Sequence, residues 1–228
     1  MPMMLPLSLL RTPQLWKNCK FWDFNTVSRT NCGAVRTEGV GDVISHNEFV
    51  GGPHTVVTLN GNENIIEYNE FYDNMQDKAE DASPIYGGRR LDVQNNIIRY
   101  NYFHDIYPTM SCVYLDDTLS NQHIYENVGI NTSRMVFIHG GVENTVKDNL
   151  VINTPNDMSA VRVCGAAWSY WDISTATSEA GNNFMWTFVN LPWESEPWQK
   201  YSHTHKYMKK YPEGYRVPPY NNEFTGNI

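Results

Sequence analysis

Short apolar stretches recur along the chain in a common pattern. The segment "NIIEYNEFYDN", which begins at Asn64, returns in altered form as "NIIRYNYFHDI" from Asn96. Related segments occupy residues 43–49, 65–71, 97–103, 123–129 and 145–151. Because a unit this short cannot bury its own apolar face, it must stack on a copy of itself. The repeat therefore predicts a solenoid in which each unit is one coil.

A second short strand precedes most of these segments. The six stretches are "GAVRTEG", "TVVTLNG", "SPIYGGR", "SCVYLDD", "MVFIHGG" and "SAVRVCG". Their third position is always apolar and is predicted to face inward: Val35, Val57, Ile85, Val113, Phe137 and Val161. Strand alternation then points the fourth and sixth positions outward. These are Arg36, Thr58, Tyr86, Tyr114, Ile138 and Arg162, and Glu38, Asn60, Gly88, Asp116, Gly140 and Cys164.

An asparagine lies at the centre of each repeated segment. The five residues are Asn47, Asn69, Asn101, Asn127 and Asn149. In a stack of parallel strands, equivalent residues lie about 4.8 Å apart. An inward amide can therefore bond to the backbone and to its copies above and below. We expect an internal asparagine ladder with a structural role.

The pattern divides the chain into four regions. Residues 1–31 are predicted to form an N-terminal extension or cap, and residues 32–165 the coils. Residues 166–219 are rich in tryptophan and are predicted to form an irregular, partly helical excursion packed on the coils. The closing "NNEFTGNI", within residues 220–228, resumes the coil motif. Its open strand edge would be completed by a missing segment or by a partner.

These motifs resemble the right-handed parallel β-helix proteins of the pectate-lyase-like superfold. More narrowly, "IYGGR", "NIIRYNYFHDI", "VYLDD", "VFIHGG" and "TVKDNLVIN" are similar to a group of secreted β-helix repeat proteins linked to polysaccharide metabolism. The resemblance implies an all-β, single-stranded parallel β-helix, an extracellular location and a polysaccharide-binding groove on one sheet. Lyases, hydrolases, epimerases and adhesins share this scaffold, so the resemblance leaves the activity open.

Composition narrows the classes of partner. The formal net charge is −8, whereas nucleic-acid binding requires a basic face. No apolar run reaches the ~18 residues of a membrane helix. The opening "MPMMLPLSLLRTP" has the length of a signal peptide but lacks a basic residue before it. The four cysteines lack the close pairs of zinc sites, which leaves free thiols or one disulfide.

The outward columns supply candidate ligand-binding residues. Tyr86 and Tyr114 occupy the same column in adjacent coils and would form an aromatic strip. Such rings can pack on the C–H faces of sugars; alternatively, they cover the sheet beneath the tryptophan-rich segment. Arg36, Arg89 and Arg162 lie on or beside the same face and are predicted to bind substrate.

The motif "YLDD" supplies candidate catalytic residues. Asp116 is predicted to face outward and Asp117 to lie at the bend beside Arg89. Paired carboxylates suit acid–base work, because like charges held close raise one pKa. Adjacent strand residues splay apart, however, so the second acid could be Glu80 or Asp81 from the preceding loop. Capping a turn or holding a structural calcium are the alternative roles for Asp116 and Asp117.

His139 and Arg162 follow on the next coils. An aspartate pair, a histidine and an arginine on successive coils are similar to the polygalacturonases. Two positions depart from that family: Gly88 or Arg89 replaces a further aspartate, and Cys164 replaces a lysine. Alternation also predicts that His139 points inward, as a core residue.

Hydrolysis of a polysaccharide is the favoured activity, with Asp116, Asp117 and His139 as candidate catalytic residues. A non-catalytic glycan-binding or surface-interaction module is the first alternative. A polysaccharide lyase is the second, and it would use calcium to neutralise a uronate. The favoured activity needs neither a metal nor a cofactor.

Overall fold

In the computed structural model, residues 12–77, 81–90, 92–106, 111–154, 159–164, 192, 195–201, 219 and 221–228 are described. The predicted all-β parallel β-helix is confirmed. Strands β1 to β19, numbered in chain order, form three parallel sheets of seven, six and six strands. Each coil contributes one short strand to each sheet, which is why the sequence repeats with a coil-length interval.

Sheet A contains β1 (Leu15–Lys17), β4 (Val43–Ser45), β7 (Ile65–Glu67), β10 (Ile97–Arg99), β13 (His123–Tyr125), β16 (Thr145–Lys147) and β19 (Glu223–Thr225). Sheet B contains β2 (Lys20–Trp22), β5 (Glu48–Val50), β8 (Glu70–Tyr72), β11 (Tyr102–His104), β14 (Val128–Ile130) and β17 (Leu150–Ile152). Sheet C contains β3 (Val35–Thr37), β6 (Val57–Leu59), β9 (Ile85–Gly87), β12 (Ser111–Leu115), β15 (Arg134–His139) and β18 (Val161–Cys164).

The core consists of apolar columns that run along the solenoid axis. Sheet A buries Ile44, Ile66, Ile98, Ile124 and Val146. Sheet B buries Phe49, Phe71 and Phe103, whose rings stack at centroid distances of 4.9 Å. Sheet C buries Val57, Ile85, Val113 and Val136. Burial of a large apolar side chain stabilises a fold by about 1.5–3 kcal/mol, so these columns hold successive coils together.

The predicted asparagine ladder is present at the corner between sheets A and B. From Asn69 onward, the side-chain oxygen of each asparagine accepts hydrogen bonds from the backbone and side-chain amides of the asparagine one coil earlier. The side-chain oxygen of Asn47 accepts one from the backbone amide of Cys19 at 2.9 Å. For example, Asn69 donates to Asn101 Oδ1 from N at 3.1 Å and from Nδ2 at 3.0 Å. Asn227 extends the ladder beyond Asn149. The buried amides of this corner are thereby satisfied.

A second polar ladder, which the sequence reading missed, precedes sheet A. It consists of Asp42, Asn64, Asn96, Gln122, Asn144 and Asn222, joined by hydrogen bonds of 2.8 to 2.9 Å. This ladder is hard to detect in the sequence because its residue types differ. The asparagine that precedes most sheet A strands was the signal that could have revealed it.

Each corner of the coil contains a residue with positive φ. The corner between sheets A and B uses Asn18, His46, Tyr68, Tyr100, Glu126, Asp148 and Gly226. The corner between sheets C and A uses Gly41, Glu63, Asn95, Asn121, Glu143 and Asn221. One left-handed residue reverses the local chain direction within a turn of very few residues.

The predicted register of sheet C was wrong in one coil. Val113 pairs with Val136, and Tyr114 pairs with Phe137. Phe137 therefore faces outward and Ile138 is buried, the reverse of the prediction. The error arose because Val136, Phe137 and Ile138 are all apolar, so the alternation of apolar and polar residues does not show which of them face inward. The one-residue shift reverses the side to which every neighbouring side chain points.

The stack also extends beyond the predicted coil region. β1 pairs with β4 and β2 with β5, so coil structure begins N-terminal to the expected boundary at Cys32. At the other end, β19 pairs with β16, so residues 223–225, where the coil motif resumes, continue sheet A. Most of residues 166–219 lie outside the described residues. Their described part includes helix α1 (Glu196–Gln199) and the buried Trp198 and Tyr201.

No helix among the described residues is long and apolar enough to cross a lipid bilayer. All four cysteines are free thiols.

Candidate active site

The corrected register brings three ionisable side chains together at the end of sheet C. Nδ1 of His139 lies 2.9 Å from Oδ1 of Asp116 and 3.6 Å from Oδ1 of Asp117. We call Asp116, Asp117 and His139 the carboxylate cluster. The expectation that His139 is an inward core residue was wrong, because β15 is shifted by one residue relative to the prediction.

Local backbone geometry places the two aspartates side by side. Asp117 has a φ of 36° just after β12 ends. The chain turns there, and the backbone amide of Asp117 donates to Oδ1 of Asp116 at 2.8 Å. The expected splaying of the two side chains therefore does not occur, because Asp117 is no longer part of the strand.

Two tyrosines surround Asp116. The Tyr86 hydroxyl donates to Oδ2 of Asp116 at 2.8 Å, and the Tyr114 hydroxyl also donates to Asp116. Burial, followed by the charge of Asp116, raises the pKa of both phenols, so they remain neutral donors. Tyr86 and Tyr114 are cross-strand neighbours, as the columns predicted.

The aromatic strip on sheet C is packed against itself. The Tyr86 ring meets Tyr114 edge to face at 5.5 Å, and Tyr114 stacks on Phe137 at 4.5 Å. The Arg162 guanidinium covers the Phe137 ring at 4.6 Å, a cation–π distance. Tyr114 is only 5% exposed. The rings therefore build the wall of the cluster, and stacking on sugars would need a rearrangement.

Asp117 forms an ion pair with an exposed arginine. Nε of Arg89 lies 2.6 Å from Oδ2 of Asp117. Burial, together with the charge of Asp116, raises the pKa of Asp117 although Arg89 acts in the opposite direction. The cluster therefore contains one carboxyl group that takes up a proton more readily than an ordinary aspartate.

Asp81 belongs to the same electrostatic environment. Desolvation and, after it, the charge of Asp116 raise the pKa of Asp81, whereas Arg89, His54 and His139 lower it. The loop acid suggested by the sequence is thus close enough to sense the cluster. Glu80, the other suggested loop acid, lies outside the described residues.

Gly88 explains one departure from the polygalacturonase pattern. A Cβ atom at this position would lie 2.9 Å from the Cβ of Asp116. A further aspartate could not fit without displacing Asp116. Arg89 lies beside the cluster instead and provides positive charge, so the local charge differs from that of an aspartate triad.

The remaining predicted substrate-binding residues lie apart from the cluster. Arg36 is exposed on β3 and lies 3.5 Å from Glu38. Three strand spacings separate its row from that of Tyr114, about 14 Å at the usual spacing. Arg162, also exposed, lies one strand beyond Phe137. Arg36, Arg89 and Arg162 therefore mark a face of sheet C that spans several coils.

Phe137 was not among the predicted site residues. It joins Tyr114 to Arg162 and closes the row of rings. Its outward position was hidden because Val136, Phe137 and Ile138 are all apolar, so the sequence does not show which of them face outward.

The cluster also has the donor types of a divalent cation site. One ligand atom from each of Asp116, Asp117 and His139 lies within 4.8 Å of the others. Their oxygens already accept hydrogen bonds from Tyr86 and Arg89, so a cation would have to compete with these donors. The residues fit a closed hydrogen-bond network at least as well as an ion.

The fold and this cluster define the protein as a parallel β-helix with a buried acidic network on one sheet. Comparisons with protein-family models, curated proteins and solved structures find no match to this chain.

Proposed function

We propose that the protein is a carbohydrate-active β-helix, akin to the pectate-lyase-like group, that binds a polysaccharide across sheet C and hydrolyses it. The observation that carries this proposal is the convergence of Asp116, Asp117 and His139 from two adjacent coils. An acid and a base held in one place are the requirement for glycoside hydrolysis. Exposed arginines along sheet C favour an acidic polysaccharide over a neutral one.

The proposed roles follow from spacing and from pKa. Inverting hydrolases keep their two carboxyl groups about 6.5–9.5 Å apart to admit a water. Asp116 and Asp117 each place an oxygen within 4.8 Å of the other, so this pair alone leaves too little room. We assign Asp116 as the base that accepts the proton of the attacking water. Asp81, whose pKa is raised, then donates a proton to the leaving glycosidic oxygen.

His139, Asp117 and Tyr86 are positioning residues in this scheme. His139 and Tyr86 bond to the two different oxygens of Asp116, which fixes the plane of that carboxyl group. Asp117 tunes the local charge and is itself restrained by Arg89.

A non-catalytic glycan-binding module is the second candidate, and one observation favours it. Asp116 and Asp117 are 3% and 2% exposed, and both are already hydrogen-bonded. Arg36, Arg89 and Arg162, by contrast, are exposed. Such a surface can hold an anionic polymer without cleaving it.

The deciding experiment is a polysaccharide screen of the purified chain. Hydrolysis yields reducing ends without ultraviolet absorbance, whereas a lyase yields an absorbing unsaturated product. Retention without either product identifies a binding module and refutes hydrolysis.

Variants then test the assigned residues. Asp116→Asn and Asp81→Asn should each lower cleavage by about a hundredfold or more, the usual contribution of an acid or base. Asp73→Asn is the matched control, because Asp73 is an exposed corner residue with a φ of 50°. Cleavage that survives Asp116→Asn would refute the assigned base.

A further inference from the structure

A second groove lies at the corner between sheets A and B. The groove is open to solvent and has a volume of about 570 Å³, and one wall consists of His46, Tyr68 and Tyr100. The facing wall consists of Lys20, Glu48, Glu70 and Tyr102 from sheet B, above the asparagine ladder. The cluster on sheet C contributes no residue to this lining, so the groove is separate from the proposed active site.

The first wall is unusual for its backbone. His46, Tyr68 and Tyr100 have φ values of 57°, 54° and 56°. Elsewhere in this column, the left-handed position holds Asn18, Asp148 and Gly226, which adopt it at low cost, and Glu126, which carries no ring. Bulky residues with positive φ are uncommon and strained. Three consecutive coils nevertheless place a ring there.

These rings form a continuous exposed strip. His46 stacks on Tyr68 at 5.0 Å, and Tyr68 stacks on Tyr100 at 5.0 Å. Tyr68 is 50% exposed and Tyr100 is 36% exposed. Because the rings of this strip stack face to face, they line the groove with their edges and hydroxyl groups rather than with their faces. Ring edges carry partial positive charge and attract the oxygen atoms of a ligand.

The second wall supplies charged and polar hydrogen-bonding groups. Lys20 forms an ion pair with Glu48 at 2.6 Å, and Glu70 lies 3.1 Å from Nε2 of His104. Lys20 compensates the charge of Glu48, whereas Glu70 adds negative charge, so this wall offers hydrogen-bond acceptors and disfavours anionic ligands. A ligand rich in hydroxyl groups suits this wall, whereas a uronate chain would meet Glu48 and Glu70.

The groove is also periodic. Glu48 and Glu70 occupy the same position in consecutive coils, as do Tyr68 and Tyr100. Coils repeat at about 4.8 Å, which is close to the length of one pyranose unit in an extended chain. A linear polymer lying along the axis would therefore meet the same groups at each sugar.

We propose that this corner groove binds a linear, neutral polysaccharide as a second glycan site, distinct from sheet C. The inference takes its ligand class from the proposed function but does not require catalysis. Binding at the corner would hold a long chain beside the protein while sheet C contacts another segment or another polymer.

The test uses the full chain with Asp116→Asn, so that cleavage cannot consume the ligand. Its affinity for soluble β-glucan, xylan and glucomannan is measured by affinity electrophoresis and by calorimetry with oligosaccharides. Tyr68→Asn combined with Tyr100→Asn should weaken binding of the retained glycan about tenfold, because two ring contacts are lost. Asparagine suits the left-handed backbone, as at Asn18, so this variant should remain folded.

Two further variants complete the design. Tyr68→Phe combined with Tyr100→Phe keeps the ring edges and should weaken binding only severalfold. Asp148→Asn is the matched control, since it lies in the same corner column but does not line the groove, and it should bind normally. Unchanged affinity in the double asparagine variant, or no neutral glycan retained by the parent chain, overturns the proposal. Absent cleavage by the unmodified chain with retained corner binding refutes only the hydrolase.

Discussion

The asparagine ladder and the carboxylate cluster are both buried polar networks, but they are built in opposite ways. The ladder repeats asparagine in six consecutive coils, from Asn47 to Asn227, and the amides of one copy donate to the next. The column through the cluster changes at each step, from Gly88 to Asp116, His139 and Cys164. Repetition along the axis satisfies polar groups at low cost. A column without repetition brings different ionisable side chains together, here Asp116 and His139.

The largest expected effect concerns the ladder. Asn101→Ala should lower the free energy of unfolding by about 3–5 kcal/mol, because each buried amide or carbonyl left without a partner costs about 1–3 kcal/mol. The groups affected include the backbone amide of Asn69 and the carbonyl of Ile66. Urea unfolding followed by circular dichroism measures the change.

Asn227→Ala is the comparison for that experiment, since it removes the last, partly exposed member of the same ladder. We expect a cost of about 1 kcal/mol. Equal costs at Asn101 and Asn227 would show that the ladder does not act through burial.

The next effect concerns the cluster. Gly88→Ala places a methyl group 2.9 Å from the Cβ of Asp116, so Asp116 must move. We expect a loss of about 1–3 kcal/mol in stability and a larger relative loss of any cleavage activity, because misplacement of about 1 Å can cost a hundredfold. Thermal unfolding and reducing-end assays give the two values.

Gly129→Ala separates these two losses. A Cβ at Gly129 would lie 3.0 Å from Oγ1 of Thr132, on sheet B and away from the cluster. It should lower stability similarly and leave cleavage unchanged. A parallel loss of activity in both variants would mean that Gly88 acts only through the fold.

The smallest effect is a pH dependence with opposite signs at two aspartates. The pKa of Asp117 is raised in the folded protein by burial and by Asp116. The folded state therefore binds more protons, and this site lowers stability as pH rises above the unfolded value of about 3.9. Asp117→Asn removes that loss, so the variant should unfold at a higher temperature at pH 7, and the gain should vanish below about pH 4.

Asp105→Asn supplies the opposite sign. His104 and Asn131 lower the pKa of Asp105, so its contribution to stability is present at neutral pH and is lost on acidification. The exposed position makes the effect small, and Asp105→Asn should be slightly less stable at pH 7. Melting temperatures of both variants from pH 3 to pH 8 test the pair, and a shared sign would contradict the assignments.

The fold was predictable because the inward-facing residues of each column are of one kind. Ile44, Ile66 and Ile98 repeat with nearly identical surroundings, so sheet A could be aligned without ambiguity. The strands β1 and β2 escaped detection because the segment Leu15–Trp22 lacks the motif's apolar triplet, although Trp16 and Phe21 pack against the same core. The sequence periodicity is therefore weak in the first coil, where large aromatic side chains occupy the inward positions.

For the candidate site, the sequence predicted which residues take part but not how they are arranged. Asp116, Asp117, His139, Tyr86 and Arg89 were singled out from the sequence, and the structure brings them together. Their arrangement could not be derived, because residues 136–138 of β15 are all apolar and hide its register, and because Asp117 leaves the strand. The positive φ of Asp117 depends on the turn, which alternation does not encode.

The corners between the sheets differ in the number of residues that connect one strand to the next. Two residues always join a sheet A strand to the next sheet B strand, as between Ser45 and Glu48 or Lys147 and Leu150. The connections from sheet B to sheet C vary freely in length: Tyr72 to Ile85 is long, and Ile130 to Arg134 is short. Residues can therefore be inserted at the corner between sheets B and C without changing which side chains of a strand face inward. The connection from Tyr72 to Ile85 carries Asp81, whose pKa responds to the charge of Asp116. Changes in such a connection can therefore alter the groups beside the carboxylate cluster while the three sheets stay the same.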